Sequence, residues 1–184
     1  MRQRLTVIGT ALAVGLGSWA WNEAQWKKFA VVAPNAVYRS GQLKESHFAA
    51  ALDQLKLKTV VCLNPEFAAR ERSVCQARGV AFVYFPMPSN GHGEAEQFAE
   101  VLRLVRDPAS QPILVHCSAG VARTGAAMAL RRMLDDGWSL DRATAELASY
   151  ERHGFIEPAL KDHVAAVAAR LRSEAAGRTP AAVR

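Results

Sequence analysis

The chain has 184 residues, of which 50% are hydrophobic and 22% charged, with a formal net charge of +6 at pH 7. This length suits one compact domain of about 100 to 200 residues with a terminal extension, and the composition excludes a disordered chain, a collagen-like repeat and a polytopic membrane protein. The positive charge favours anionic partners, but the basic residues are scattered, so we predict no nucleic-acid partner. Three cysteines without a C-x-x-C pair predict neither a disulfide framework nor a metal site.

The first 28 residues have the pattern of a targeting segment. Arg2 and Arg4 precede an almost uninterrupted apolar run that ends at Trp21. Such a run is typical of a single-pass membrane anchor, and a small-x-small pattern near its end fits equally a signal peptide that is cleaved to leave a soluble periplasmic domain. We expect an N-terminal hydrophobic helix that partners the membrane, Trp26 near the membrane boundary, and a periplasmic domain.

The rest of the chain alternates short apolar runs with amphipathic stretches. This alternation predicts an α/β domain over residues 29–172, with a central, mainly parallel sheet flanked by helices, and a flexible tail over residues 173–184. The predicted elements, in chain order, are an edge strand at Ala36–Arg39, a helix at Lys44–Lys56, a strand at Thr59–Leu63, a helix at Phe67–Arg78, a strand at Val80–Phe85, a helix at Glu94–Arg106, a strand at Ile113–Val115, helices at Thr124–Asp135 and Leu140–Tyr150, and a last helix entered at Pro158.

The stretch VHCSAGVARTG, residues 115–125, carries the chemistry. A strand leads to Cys117, small residues form a tight loop, and a helix begins near Thr124. Such a loop turns its backbone N–H groups toward a concave anion site backed by the positive end of the helix, and a planar arginine fork matches two phosphate oxygens. The predicted phosphate-binding residues are Ser118, Ala119, Gly120, Val121, Ala122 and Arg123.

Cys117 is the predicted nucleophile, because inward amides, the helix end and Arg123 all favour thiolate over thiol. Thr124 is expected to hydrogen-bond the sulfur and ease its departure, and His116 to order the loop by bonding to its backbone. Cys62 ends a strand predicted to run beside that of Cys117. Its expected role is a buried apolar side chain, with a reversible disulfide to an oxidised Cys117 as the alternative hypothesis.

HCSAGVARTG matches the pattern H-C-x-x-x-x-x-R-[ST] and resembles the cysteine-dependent protein tyrosine phosphatases. In size and element order the domain is similar to dual-specificity phosphatases, particularly small bacterial exported or membrane-anchored ones. Further similarities lie at residues 38–42 (YRSGQ), 58–61 (KTVV) and 137–139 (GWS). The resemblance implies cofactor-independent hydrolysis of phosphotyrosine on a protein or peptide, with phosphoserine and phosphothreonine as further substrates, through a cysteinyl-phosphate.

One expected residue is missing. The family supplies an Asp, as general acid, from the loop that here reads PMPSNGHGE, where Asn90 stands at the usual place. Glu94, His92 and Glu66 are the candidate replacements, and a phosphate-binding pseudophosphatase is the alternative function. The absence of Lys or further Arg between Ser118 and Ala122 favours phosphotyrosine over a phosphoinositide, which stays an alternative substrate.

Overall fold

The computed structural model describes residues 26–66 and 68–177. The apolar leader, and with it the predicted N-terminal hydrophobic helix, lies outside these ranges. Within them, no helix combines the length and the apolar character that a membrane crossing requires.

Five short strands form one sheet in the order β1-β2-β5-β3-β4. β1 pairs antiparallel with β2, and the remaining pairs are parallel. The predicted edge strand is therefore internal, because a further strand, which the sequence pattern did not predict, pairs with its outer side. The strands are β1 Ala30–Ala33, β2 Val37–Ser40, β3 Thr59–Cys62, β4 Ala81–Tyr84 and β5 Ile113–His116.

Six described helices connect and cover these strands. Ser139 accepts a hydrogen bond from the Arg142 amide at 3.2 Å and so caps α5. The last helix packs into the core as far as Leu171 and continues, with exposed side chains, to Gly177, through residues assigned to the flexible tail. The helices are α1 Glu45–Gln54, α2 Ala68–Gln76, α3 Ala95–Arg106, α4 Ala122–Leu134, α5 Leu140–Ser149 and α6 Pro158–Gly177.

The sheet separates two apolar layers, and alternation along β5 shows which side chains face which layer. Ile113 and Val115 point into the larger core with helices α3 to α6. Leu114 points into the smaller core with α1 and α2. Since β2, β3 and β5 are parallel, their carboxyl ends meet at one edge of the sheet.

The folded domain begins earlier than the sequence indicated. Trp26 is only 4% exposed. Its ring packs edge-on against Phe29 at 4.9 Å, and Phe29 stacks on Tyr38 of β2 at 5.9 Å. Trp26 is therefore a core residue of the domain rather than the membrane-boundary residue that we expected.

Candidate active site

The loop between β5 and α4 lies at the carboxyl edge of the sheet, and its carbonyl groups are bound from outside. The Ser118 carbonyl accepts hydrogen bonds from the Gln42 amide at 3.0 Å and from Lys27 Nζ at 2.8 Å. The Gly120 carbonyl accepts one from Arg39 Nη2 at 2.5 Å. Because the C=O and N–H of one trans peptide point in opposite directions, the two following amides face the inside of the loop, as an anion site requires.

Gly120 gives the loop its curvature. Its φ is +74°, a region that favours glycine. A Cβ at this position would lie 2.6 Å from the Gly41 nitrogen and 2.8 Å from the Gly41 Cα. The loop therefore packs directly on the backbone that follows β2, and this contact leaves no space for a side chain at Gly120.

Cys117 lies at the floor of the loop and is 1% exposed. Burial alone would raise the pKa of its thiol. Hydrogen bonds from the Thr124 hydroxyl, the Thr124 amide and the Gly120 amide, together with the charge of Arg123, outweigh burial and lower the pKa of Cys117 below its ordinary value. The Gly120 nitrogen is 3.2 Å from Sγ. The sulfur is thus set up as a thiolate, the nucleophilic form.

Arg123 lies in the first turn of α4, which begins at Ala122, two residues earlier than predicted. Its side chain is 6% exposed, and Nε has no hydrogen-bond partner among the described residues. A buried guanidinium with an unused donor is ready to bind a phosphate oxygen. Thr124 Oγ1 is also 3.5 Å from the Ser40 carbonyl oxygen, so the hydroxyl lies between β2 and the sulfur.

Arg39 supports the loop. The sequence resemblance includes this residue only within the segment 38–42 that is similar to the family and gives it no role. It is 1% exposed, and its guanidinium carbon lies 3.6 Å from the centre of the Tyr150 ring. Burial lowers the pKa of Arg39, with Tyr150 and Glu146 acting in the opposite direction. Lys28 Nζ donates to the Tyr150 carbonyl from the other side. Three cations from the start of the domain therefore hold the catalytic loop and its neighbour in place.

His116 does not bond to the backbone of the loop, contrary to expectation. Strand alternation turns its ring to the sheet face opposite Cys117, where Nε2 lies 3.3 Å from Glu71 Oε2. Burial would lower the pKa of His116, but contacts with Cys62 and Glu71 raise it to about 10. Ligand atoms of Cys62, Glu71 and His116 lie within 4.8 Å of one another, all buried.

The same alternation separates Cys62 from Cys117. Cys62 is aligned with His116 across β3 and β5 and shares its face of the sheet, whereas Cys117 belongs to the larger core on the other face. A disulfide needs Cβ vectors that point toward each other. The hypothesis of a Cys62–Cys117 disulfide is therefore disfavoured, and the buried structural role fits Cys62.

Three of the four side chains considered for the general acid make other contacts in the structure, and the fourth, Glu66, has only a backbone contact described. Asn90 Oδ1 accepts a hydrogen bond from the His92 amide at 3.1 Å, which forms a local turn. The His92 ring stacks on His163 at 4.7 Å. Glu94 forms a capping box with Gln97 at the start of α3. Glu66 is exposed after β3, and its carbonyl accepts from Asn64 Nδ2 at 2.8 Å.

A cleft of about 420 Å³ adjoins the loop and holds residues that the sequence did not single out. One wall comes from the loop after β4 and the start of α4, and the other from the segment between α5 and α6. Phe155 in this segment is 61% exposed, which is unusual for a large apolar side chain. Because this exposure is visible only in the folded structure, no signal in the sequence indicated it. The lining residues are Ser89, Asn90, Val121, Ala122, Glu151, His153, Phe155, Ile156, Glu157 and Leu160.

Known proteins are similar to this chain in sequence. Inositol diphosphatase SIW14 of Saccharomyces cerevisiae is 31% identical over 65% of this chain and 43% of its own length. Dual specificity protein phosphatase TpbA of Pseudomonas aeruginosa is 29% identical over 65% of this chain and 51% of its own length. The chain thus spans about half the length of these two curated relatives.

Solved structures agree on the fold. The crystal structure of the core catalytic domain of SIW14 superimposes with a TM-score of 0.69, covering 82% of this chain and 93% of that one at 24% identity. The model of the tyrosine phosphatase family matches residues 25–160, which include the loop, the cleft and the segment at Trp26. The chain therefore belongs to the tyrosine phosphatase family.

Proposed function

We propose that the protein is a phosphatase that hydrolyses phosphotyrosine esters through a cysteinyl-phosphate. The proposal rests on the position of the Cys117 sulfur inside the loop. The Ser118 and Gly120 carbonyls bind groups outside the loop, and the pKa of Cys117 is lowered despite its burial. Arg123 supplies the positive charge that a phosphoryl group needs at the same place. Family membership supports the same chemistry.

The reaction needs two displacements at phosphorus. In the first, Cys117 Sγ bonds to phosphorus while the ester P–O bond breaks, and the leaving oxygen keeps the electron pair and takes up a proton from solvent. In the second, water attacks phosphorus, the P–S bond breaks, and inorganic phosphate leaves with the thiolate restored. The hydrogen bonds from Thr124 and Gly120 that stabilise the thiolate also make Cys117 a better leaving group in this step.

The cleft favours an aromatic leaving group. Phe155, Ile156 and Leu160 give its outer wall an apolar surface that suits a phenyl ring. Glu151 and Glu157 line the same cleft, and their negative charges would repel further phosphates on a substrate. We therefore favour phosphotyrosine over the inositol pyrophosphates suggested by the name of the yeast relative, and over phosphoinositides.

Because the usual Asp is missing, the rate of hydrolysis should depend strongly on the leaving group. Asn90 cannot donate a proton as an acid does, and its side chain is engaged in a local turn. General acid catalysis contributes a factor of about 10² to 10⁴, and a phenolate needs this help less than an alkoxide. We expect turnover of aryl phosphates to exceed that of alkyl phosphates by a factor in this range. A pseudophosphatase is the second candidate, favoured by the same observation.

The test is hydrolysis by the full chain of an aryl phosphate, a phosphotyrosine peptide, a phosphoserine peptide, an inositol pyrophosphate and a phosphoinositide. We expect the first two to be turned over fastest, a phosphate adduct on Cys117 after acid quenching, and complete loss with Cys117→Ser. Ser73→Ala is the control, because Ser73 is exposed on α2 outside the catalytic loop. Binding without turnover would favour the pseudophosphatase, and faster hydrolysis of either inositol compound would overturn the substrate assignment.

A further inference from the structure

A buried polar network lies behind the catalytic loop, on the sheet face opposite the phosphate site. Its centre is Glu71 of α2, which is 4% exposed. The Glu71 Oε1 atom accepts a hydrogen bond from Gln42 Nε2, and Asn64 Nδ2 donates to Gln42 Oε1 at 3.3 Å. Glu71 Oε2 faces His116 Nε2 at 3.3 Å. Carboxylates are almost never this deeply buried unless they are paired.

Two routes join this network to the catalytic loop, one through the peptide bond from His116 to Cys117 and one through hydrogen bonds of Gln42. His116 immediately precedes Cys117, and its carbonyl is fixed by the Leu63 amide at 2.9 Å. Gln42 donates its side chain to Glu71 and its backbone amide to the Ser118 carbonyl. Glu71 therefore contacts His116, which precedes the nucleophile, and reaches Ser118, which follows it, only through Gln42; it does not line the substrate cleft.

The ring of His116 has only Glu71 as an anionic carboxylate partner among the described residues. Neither ring nitrogen completes a hydrogen bond of good geometry, and Glu71 Oε2 likewise has none. The attraction between the two groups is thus mainly that of opposite charges at 3.3 Å in a dry environment. Besides Glu71, the buried titratable groups that face this pair are the thiols of Cys62 and Cys75. On its other side Glu71 lines a pocket together with the charged residues Lys44, Glu45 and Arg70.

We propose that Glu71 is a positioning residue for the nucleophile: it keeps His116 in its cationic form directly behind Cys117. The positive charge of His116 is nearer to the Cys117 sulfur than the negative charge of Glu71, because His116 adjoins Cys117 in the chain. The net effect of the two charges is therefore to stabilise the thiolate. Without the carboxylate, burial would favour the neutral imidazole and this stabilisation would be lost. The role in turnover rests on the proposed function, whereas the effect on the thiol does not.

The test follows the ionisation of Cys117 by the rate of its alkylation with iodoacetamide as a function of pH, which requires no turnover. Glu71→Gln keeps an acceptor for Gln42 but removes the charge. We expect the pKa of Cys117 to rise by about one unit, and the acid limb of kcat/KM for an aryl phosphate to move upward equally. An unchanged pKa of Cys117 in a folded Glu71→Gln variant would overturn the proposal.

Two further variants separate positioning from general structural damage. Glu71→Asp keeps the charge and should keep the pKa of Cys117 near that of the wild type. The shift caused by Glu71→Gln should vanish when His116 is already replaced by Asn, and an equal shift in that background would contradict a route through His116. Glu100→Gln, an exposed carboxylate on α3 paired with Arg103, is the matched control and should change nothing.

The wild-type protein supplies a test that needs no Glu71 variant to fold. The ring resonances of His116, assigned by comparison with His116→Asn, should show an imidazolium at pH 8. A neutral ring at that pH would overturn the proposal. Normal alkylation behaviour without hydrolysis of any phosphate ester would refute the proposed function and leave the role of Glu71 intact.

Discussion

Arg39 illustrates how much of the catalytic loop depends on one buried side chain outside it. Its guanidinium binds the Gly120 carbonyl and stacks on Tyr150. A planar guanidinium can make both contacts at once, and a lysine ammonium cannot. The conformation of the loop therefore depends on the planar shape of this side chain as well as on its charge.

We expect Arg39→Lys to lower kcat/KM for an aryl phosphate at least about tenfold and to destabilise the fold by about 1–3 kcal/mol, the usual cost when buried polar groups lose their partners. The measurements are steady-state kinetics and urea unfolding. Arg103→Lys, at an exposed position on α3, is the control and should leave both quantities unchanged. If Arg39→Lys kept wild-type kinetics, the stacked guanidinium would not be needed to shape the loop.

At the scale of elements, the sequence predicted the helices and the parallel strands well, because the helices bury one face at regular spacing and the parallel strands β2, β3 and β5 are short runs that are buried throughout. β1 was missed, because Ala30–Ala33 has only four residues and two of them are alanines, which are depleted in strands. The direction of the His116 ring was also missed. It depends on where β5 ends relative to Cys117, and a shift of one residue in that boundary reverses the face.

The segment before β1 belongs to the folded domain and contacts the catalytic loop, which the sequence pattern did not predict. Trp26 anchors it in the smaller core, and Lys27, the next residue, binds the Ser118 carbonyl. We expect Trp26→Ala to destabilise the domain by about 3–5 kcal/mol, as typical large-to-small core substitutions do, and to lower turnover at temperatures where the fold survives. Thermal unfolding and aryl phosphatase activity are the measurements. A loss of under about 1 kcal/mol would show that Trp26 contributes little to the core.

The stability of the whole molecule depends on pH through buried groups on both faces of the sheet. Folding lowers the pKa of the group on one face and raises the pKa values of the groups on the other. A lowered pKa, as for Cys117, adds stability above the ordinary thiol pKa of 9.0 that is lost as the pH falls. A raised pKa adds stability at low pH that is lost as the pH rises. His116 and Cys75 are of this second kind, with pKa values of about 10 and about 12 in the folded protein.

Replacing Cys117 with Ser removes the contribution of its thiol to the pH dependence of stability. The contributions of His116 and Cys75 can then be measured without it. For His116, stabilisation is complete below its ordinary pKa of 6.5 and disappears as the pH passes about 10. We therefore expect the free energy of unfolding of Cys117→Ser, measured with urea at successive pH values, to fall steadily between pH 7 and pH 9. Adding Glu71→Gln should flatten this part of the curve, because His116 would then be neutral in both states. Cys75 should add to the fall only above its ordinary pKa of 9.0. A flat curve for Cys117→Ser between pH 7 and pH 9, or an equal slope in the double variant, would show that His116 is not held as a cation in the folded protein.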